Sequence, residues 1–371
     1  MAARRHAEVA GAGFAGLAVA TALCQRGWTV RVHEMDAAPR AFGAGIHVWR
    51  NGLLALRALG ALEALRAGCA RPARYETRTN GVRTSAEFLN VPGKDTLWSM
   101  TRQHLYRGML DAARRAGAEI VTSSMVVGAT ADGVLMLADG SRARADLVIG
   151  ADGVRSRVRD SLDLGQTRHR YKDGLIRVLI GRGPLTGGEW DHVIDFWHTK
   201  DRTLRILYSP VSEDEIYLAL MAPRDDAEAS SVPVRPAPWL AYFPQFGPVL
   251  TRVGDRGRYD LYETTRLERW SEGHVAILGD AAHAMPPTLG QGACTAICNA
   301  LGLAVALDEA GSVRDALALW EARERPLTDH TQRRAAEIAA GRILAGGMDW
   351  DDVGMRAARH VPTGAVGTEF A

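Results

Sequence analysis

The sequence predicts an α/β protein built on a Rossmann-like dinucleotide-binding unit. Three observations carry that expectation. A glycine-patterned turn near the N-terminus lies between a short strand and a helix, two later buried strands each run into a small-residue turn, and the middle of the chain reads as strands. A length of 371 residues suggests two domains, or one large domain with an insertion. Hydrophobic residues at 47% and charged residues at 24% exclude a disordered, collagen-like or coiled-coil chain.

Glu8-Val9-Ala10 reads as the first strand, followed by Gly11-Ala12-Gly13-Phe14-Ala15-Gly16. Leu17 to Arg26 forms a helix that Gly27 closes, and Trp28 to Glu34 alternates as a second strand ending on an acid. In this context Gly11 permits the tight turn, Gly13 lets backbone approach a pyrophosphate, and Gly16 lets the helix pack on the strand. The helix N-terminus offers unpaired N–H groups to phosphates. Glu34 is placed to accept from ribose hydroxyls, which disfavours a 2′-phosphate and points to FAD or NAD rather than NADP. Further on, Asp146 to Gly150 is a buried strand running into Ala151-Asp152-Gly153. His274 to Leu278 is another, running into Gly279-Asp280-Ala281-Ala282-His283. Pro286 and Pro287 stiffen the next turn, Gly290-Gln291-Gly292 lets backbone lie against a flat ring, and a helix from about Ala293 to Leu307 aims its positive end there. Val178-Leu179-Ile180, Ile206-Leu207-Tyr208 and Ile216 to Met221 read as strands of a second sheet.

These three segments, in this order, resemble the group A flavoprotein monooxygenases, the p-hydroxybenzoate hydroxylase-like aromatic hydroxylases. The resemblance implies a Rossmann-like FAD-binding domain with an interleaved β-sheet substrate domain and C-terminal helices. Segments 1–75, 100–170 and 266–345 would bind FAD, 76–99 and 171–265 would form the substrate sheet, and 346–371 would be a tail. It implies non-covalent FAD, with NADH or NADPH and O2 as co-substrates. Asp280 would then meet the ribityl chain, and Asp152 and Gly153 would support FAD and the approach of reduced nicotinamide. Arg102 would reach the ribityl and phosphate region, and Gly45 and Ile46 would lie beside the isoalloxazine. Gly11, Gly13, Phe14, Ala15, Gly16, Glu34, Arg40, Pro287, Gly290, Gln291 and Gly292 complete the expected cofactor set. Cys298-Asn299-Ala300 stands where many members carry Glu-Asp-Ala.

The substrate half resembles the members of that family that hydroxylate and open a hydroxypyridine ring. The matching stretches include Trp49 with Asn51-Gly52-Leu53, Lys172 to Arg177, Gly188 to Asp191, Arg205 to Pro210 and Tyr262 to Thr265. This implies that Arg205, Tyr217 and Tyr75 hold the substrate with Tyr262 near by, while His47 stands where those members carry Tyr. The expected reaction is hydroxylation, with ring opening, of a 3-hydroxypyridine carboxylate of the 5-hydroxynicotinate or 2-methyl-3-hydroxypyridine-5-carboxylate type. Arg offers a planar fork for a carboxylate and neutral Tyr hydroxyls donate to a ring oxygen, so the chemistry needs no metal and no protein nucleophile. By residue type alone, Arg205 also suits a salt bridge across the sheet, Tyr75 and Tyr217 suit buried strand positions, and Arg102 suits a solvated helix start. A phenolic or quinoline-type hydroxylase without ring opening is the alternative activity, and a non-catalytic flavin-binding redox sensor a remote one.

A net charge of +2 names no polyanionic partner. Only Lys94, Lys172 and Lys200 are lysines among 45 basic residues, and interspersed acids favour codon bias over a nucleic-acid surface. Four cysteines make no disulfide scaffold, and Cys294 with Cys298 lacks a matching zinc pair. Arg4-Arg5 precedes a glycine turn rather than a signal peptide, and no long apolar run lacks polar breaks, so a cytoplasmic protein with no membrane partner is expected. The sequence favours neither a monomer nor a homo-oligomer, and the tail after Gly346 reads equally as an interface or as loose.

Overall fold

The first strand, His6–Ala10, is buried along nearly its whole length, as a parallel strand covered on both faces must be. In the computed structural model, which describes residues 4–38, 44–90, 96–341 and 355–365, it sits inside a six-stranded sheet. Thr29–His33 and Leu147–Gly150 pair parallel to it on either side, Glu119–Val121 extends one edge, and Val275–Ile277 extends the other, with Ser271–Glu272 antiparallel beyond it. The helix Phe14–Cys24 crosses between the first two strands, beginning three residues earlier than its apolar run suggested. Gly27 follows with φ +81, the left-handed conformation its position calls for.

A seven-stranded sheet takes Tyr259–Leu267, Gln166–Gly181, Glu215–Pro223, Leu204–Pro210, Val193–His198, Arg74–Thr79 and Val82–Phe88, in that spatial order. All neighbours are antiparallel except Val193–His198 with Arg74–Thr79. The expected boundaries at 75/76, 170/171 and 265/266 fall inside Arg74–Thr79, Gln166–Gly181 and Tyr259–Leu267, so the chain passes between regions within continuous strands. One face of this sheet packs Ile194, Phe196, Ile206, Tyr208 and Leu218 on Trp239 and Phe246. The other carries Leu175, Trp197, Tyr217, Ala219 and Tyr262 toward the six-stranded unit.

Arg102–Ala116 is started by Thr101, whose hydroxyl accepts the His104 N–H at 3.0 Å, and stopped by Gly117 at φ +100. Gly292–Glu309 is long and apolar enough to cross a membrane, but most of it is buried, as a core helix is. Cys294 and Cys298 are buried within it. The described part of the tail is not loose: Met355, Ala357, Ala358 and Ala365 are buried, and the Thr363 hydroxyl donates to Glu324 at 2.8 Å.

Candidate active site

Two cavities open between the sheets. One, of about 340 Å3, is lined by Gly13, Phe14 and Ala15 from the first turn, Gly45 to His47, Gly153, and the 279–293 turn. The second, of about 940 Å3, shares Gly13, Phe14, Arg102 and Asp280 and runs out past Glu34 to Arg177, Arg256 and Arg258.

The glycines divide by task. A Cβ on Gly11 would stand 2.6 Å from the Ala151 carbonyl oxygen, and one on Gly16 would stand 1.9 Å from that of Gly11, so both hold strand, turn and helix together without lining either cavity. Gly13 has nothing within 4 Å of its Cβ position and faces the open space. It stands at the start of Phe14–Cys24, whose first N–H groups have no side-chain cap. Gly292 likewise starts an uncapped helix at the cavity wall, so two helix N-termini face one space. Glu34 accepts the N–H groups of Ala12 and Asp36, each at 3.0 Å, fixing its carboxylate at the rim. This cradle fits a dinucleotide pyrophosphate and the flat ring attached to it.

Asp280 lines both cavities. Burial raises its pKa, opposed by Arg102 and Arg177. Arg102 is not a solvated helix start: its guanidinium lies 4.9 Å from the Phe14 ring centre, and burial depresses its pKa, with Asp280 opposing. Pro287 and Gly290 line the cavity, Gly290 at φ +61. Gln291 stands behind the wall, with its carbonyl oxygen accepting from Asn51 at 3.0 Å and its buried Nε2 lacking a partner among the described residues. Asp152 stands behind the cavity wall and lines neither cavity. Its carboxylate accepts the N–H groups of Arg157 and Val158 in the first turn of the short helix Arg157–Asp160, while its neighbours Ala151 and Gly153 line the cavity. Arg40 lies outside the described residues, as do Phe42 and Gly43.

Four of the five expected substrate residues, His47, Tyr75, Arg205 and Tyr217, line the same cavity from four different strands. Gly45 lets two of these strands close up, since a Cβ there would fall 2.3 Å from Tyr217 Cβ. Tyr262 is buried but does not line the cavity, and its hydroxyl has no partner among the described residues. The salt bridge across the sheet is present: Asp195 takes Arg205 Nε at 2.6 Å and Nη2 at 3.1 Å. Arg205 therefore does not offer a whole fork to a carboxylate, and one amino group stays outside the pair. Burial opposes the Arg205 charge, but Asp195 and the nearby tyrosines hold its pKa above the ordinary range. Burial, joined by Asp195, raises the Tyr75 pKa, so that phenol is neutral. Burial and the Arg205 charge push His47 down to about 4, and its Nε2 lies 3.0 Å from the Ser209 hydroxyl.

Trp49, Arg177, Leu207, Met285 and Leu289 also face the cavity, and none of them has a role in the site assigned from the sequence. Arg177 was detectable: Leu175, Arg177 and Leu179 alternate with Ile176, Val178 and Ile180, whose side chains enter the opposite core.

A family model described as FAD binding domain matches residues 6–317. The chain is 41% identical over 332 residues to a 2-heptyl-3-hydroxy-4(1H)-quinolone synthase of Mycobacteroides abscessus, covering 88% of each. It is 30% identical over 347 residues to a 6-hydroxynicotinate 3-monooxygenase of Bordetella bronchiseptica, covering 89% of this chain and 88% of the relative. Its fold matches a tetrameric form of 2-methyl-3-hydroxypyridine-5-carboxylic acid oxygenase with a TM-score of 0.93 and 46% identity, over 97% of both chains. The glycine cradle, the two converging helix ends and these likenesses agree: the chain belongs to the FAD binding domain family of group A flavoprotein monooxygenases, enzymes that oxidise aromatic substrates with FAD, a reduced nicotinamide and O2.

Proposed function

We propose that this monooxygenase hydroxylates and opens the ring of a 3-hydroxypyridine carboxylate, of the 5-hydroxynicotinate or 2-methyl-3-hydroxypyridine-5-carboxylate type. The observation that carries this reading is the convergence of Arg205, Tyr75, Tyr217 and His47 on one wall of a cavity whose other wall is the glycine cradle. FAD, when bound, supplies the two-electron chemistry that couples nicotinamide oxidation to the use of O2. Gly13, Phe14, Ala15, Glu34, Gly45, Ile46, Arg102, Gly153, Asp280, Pro287, Gly290 and Gly292 would hold it, with Gly11, Gly16, Asp152 and Gln291 supporting them from behind.

The remaining work falls to the polar wall. The amino group of Arg205 outside its pair with Asp195 donates to an anionic substituent. Tyr75 and Tyr217 donate to the ring oxygen, which keeps the ring electron-rich. His47, neutral and held at Ser209, offers its other ring nitrogen without adding charge. Trp49, Leu207, Met285 and Leu289 exclude water from the reacting face. Tyr262 supports Arg205 from within the sheet.

Purified holoenzyme given NADH and a panel of hydroxypyridines tests this. Ring opening yields a product heavier by one oxygen and one water, with loss of the pyridine absorbance. A product heavier by one oxygen alone, with that band intact, refutes ring opening. The second reading, 3-hydroxylation of a 4-quinolone without ring opening, is favoured by the apolar side of the cavity and by the partial neutralisation of Arg205. A 2-alkyl-4(1H)-quinolone in the same panel decides between them.

A further inference from the structure

Asp195 is buried on Val193–His198 and does not itself line the cavity. In the register of the hairpin, Arg205 stands opposite Trp197 and Asp195 opposite Leu207, so the ion pair runs diagonally between the strands. The Arg205 guanidinium also lies 5.2 Å from the Trp197 ring centre. Its orientation is thus set from below and beside, while its exposed edge meets the substrate space. An arginine alone on this wall would be an uncompensated buried cation, and an anionic ligand would be the natural way to neutralise it. With Asp195 in place the pair is formally neutral, and Tyr75 and His47 beside it are neutral as well.

We propose that Asp195 is a specificity-determining residue: by holding one edge of Arg205 and cancelling its charge, it lets the wall admit an uncharged ring as well as a carboxylated one. This rests on reading the cavity as the substrate site. Asp195 acts through Arg205 and is a positioning residue, with no contact to the reacting atoms.

The test compares two ligands of one shape, 5-hydroxynicotinate and 5-hydroxynicotinamide, bound to holoenzyme and followed by perturbation of the flavin absorbance. Asp195→Asn is expected to raise the preference for the carboxylate over the carboxamide at least tenfold relative to the unsubstituted enzyme. A purely structural role would weaken both ligands alike, so an unchanged ratio in a variant that keeps its flavin overturns the proposal. Should that variant fail to fold, Arg205→Gln is compared with the double variant Arg205→Gln/Asp195→Asn. The lone Asp195 charge should then disfavour the carboxylate at least tenfold, and equal ratios refute it. If neither ligand perturbs the flavin of the unsubstituted enzyme, the substrate-site reading itself falls, an outcome distinct from an unchanged ratio.

Discussion

Gly13→Asp should move two properties in opposite directions. Gly13 is the N-cap of Phe14–Cys24, its φ of −76 suits any residue, and its Cβ position is open. An aspartate there would cap the first-turn N–H groups itself, and Asp exceeds Gly as an N-cap by a few tenths of a kcal/mol. Its charge at the helix start adds about 0.3–1 kcal/mol. The apoprotein should therefore be stabilised, by about 0.5–1 kcal/mol. FAD should suffer, because the same donors would no longer be free for its pyrophosphate. Charge-assisted hydrogen bonds contribute about 1.5–3 kcal/mol each, so losing one or two costs about 3 kcal/mol, roughly a hundredfold in Kd before like-charge repulsion is added. Denaturant unfolding of the apoprotein and titration with FAD, followed by flavin fluorescence, measure the two effects separately. A variant that binds FAD with unchanged affinity, or whose apoprotein is destabilised by more than about 1 kcal/mol, refutes the assignment of Gly13 to the cofactor.

Gly45→Ala should destabilise by about 1–3 kcal/mol through overpacking against Tyr217, and the double variant Gly45→Ala/Tyr217→Ala should recover part of that loss in a thermal melt. His283 is buried and pushed down to about 4 by its burial, with Asn299 as its neighbour at 3.2 Å. Between the ordinary imidazole value and about 4 the unfolded chain binds the extra proton, so stability is lost as pH falls through that window. Urea unfolding near neutrality and near pH 4.5 should show this loss as about 2–3 kcal/mol greater than in His283→Asn. Since His47 stays neutral down to about 4, kcat/KM should show no limb in the ordinary imidazole range that disappears in His47→Gln.

The cofactor side of the fold was legible because backbone sterics write themselves into sequence. Gly11 at φ +94 and Gly16 pressed on the Gly11 carbonyl tolerate no side chain, so the glycine pattern is forced. The substrate wall was legible through alternation and family likeness, and residue type left a salt bridge across the sheet open for Arg205, but it did not name the partner. The pairing of Asp195 with Arg205 depends on the register of two strands, and a slip of one residue would turn every side chain to the other face. The position of Asp152 behind the wall was not legible for a related reason: an acid at a strand end reads equally as a ligand and as a partner for the first turn of the next helix. The packing of residues 355–365 went unread because a short alanine-rich helix carries little periodicity.

The six-stranded sheet takes its last two strands from Ser271–Glu272 and Val275–Ile277, and the single parallel pair of the larger sheet joins Arg74–Thr79 to Val193–His198. Each half of the molecule thus waits for a partner synthesised far downstream. A nascent chain cannot complete either layer until about three quarters of it has left the ribosome, and its early strands stay unpaired at their edges meanwhile. The same wiring makes the two functions inseparable by scissors. No contiguous fragment ending before Ile277 holds both the complete six-stranded sheet and the Asp280 turn. An exchange of substrate preference with a relative must therefore proceed by replacing cavity side chains rather than by transplanting a block of chain.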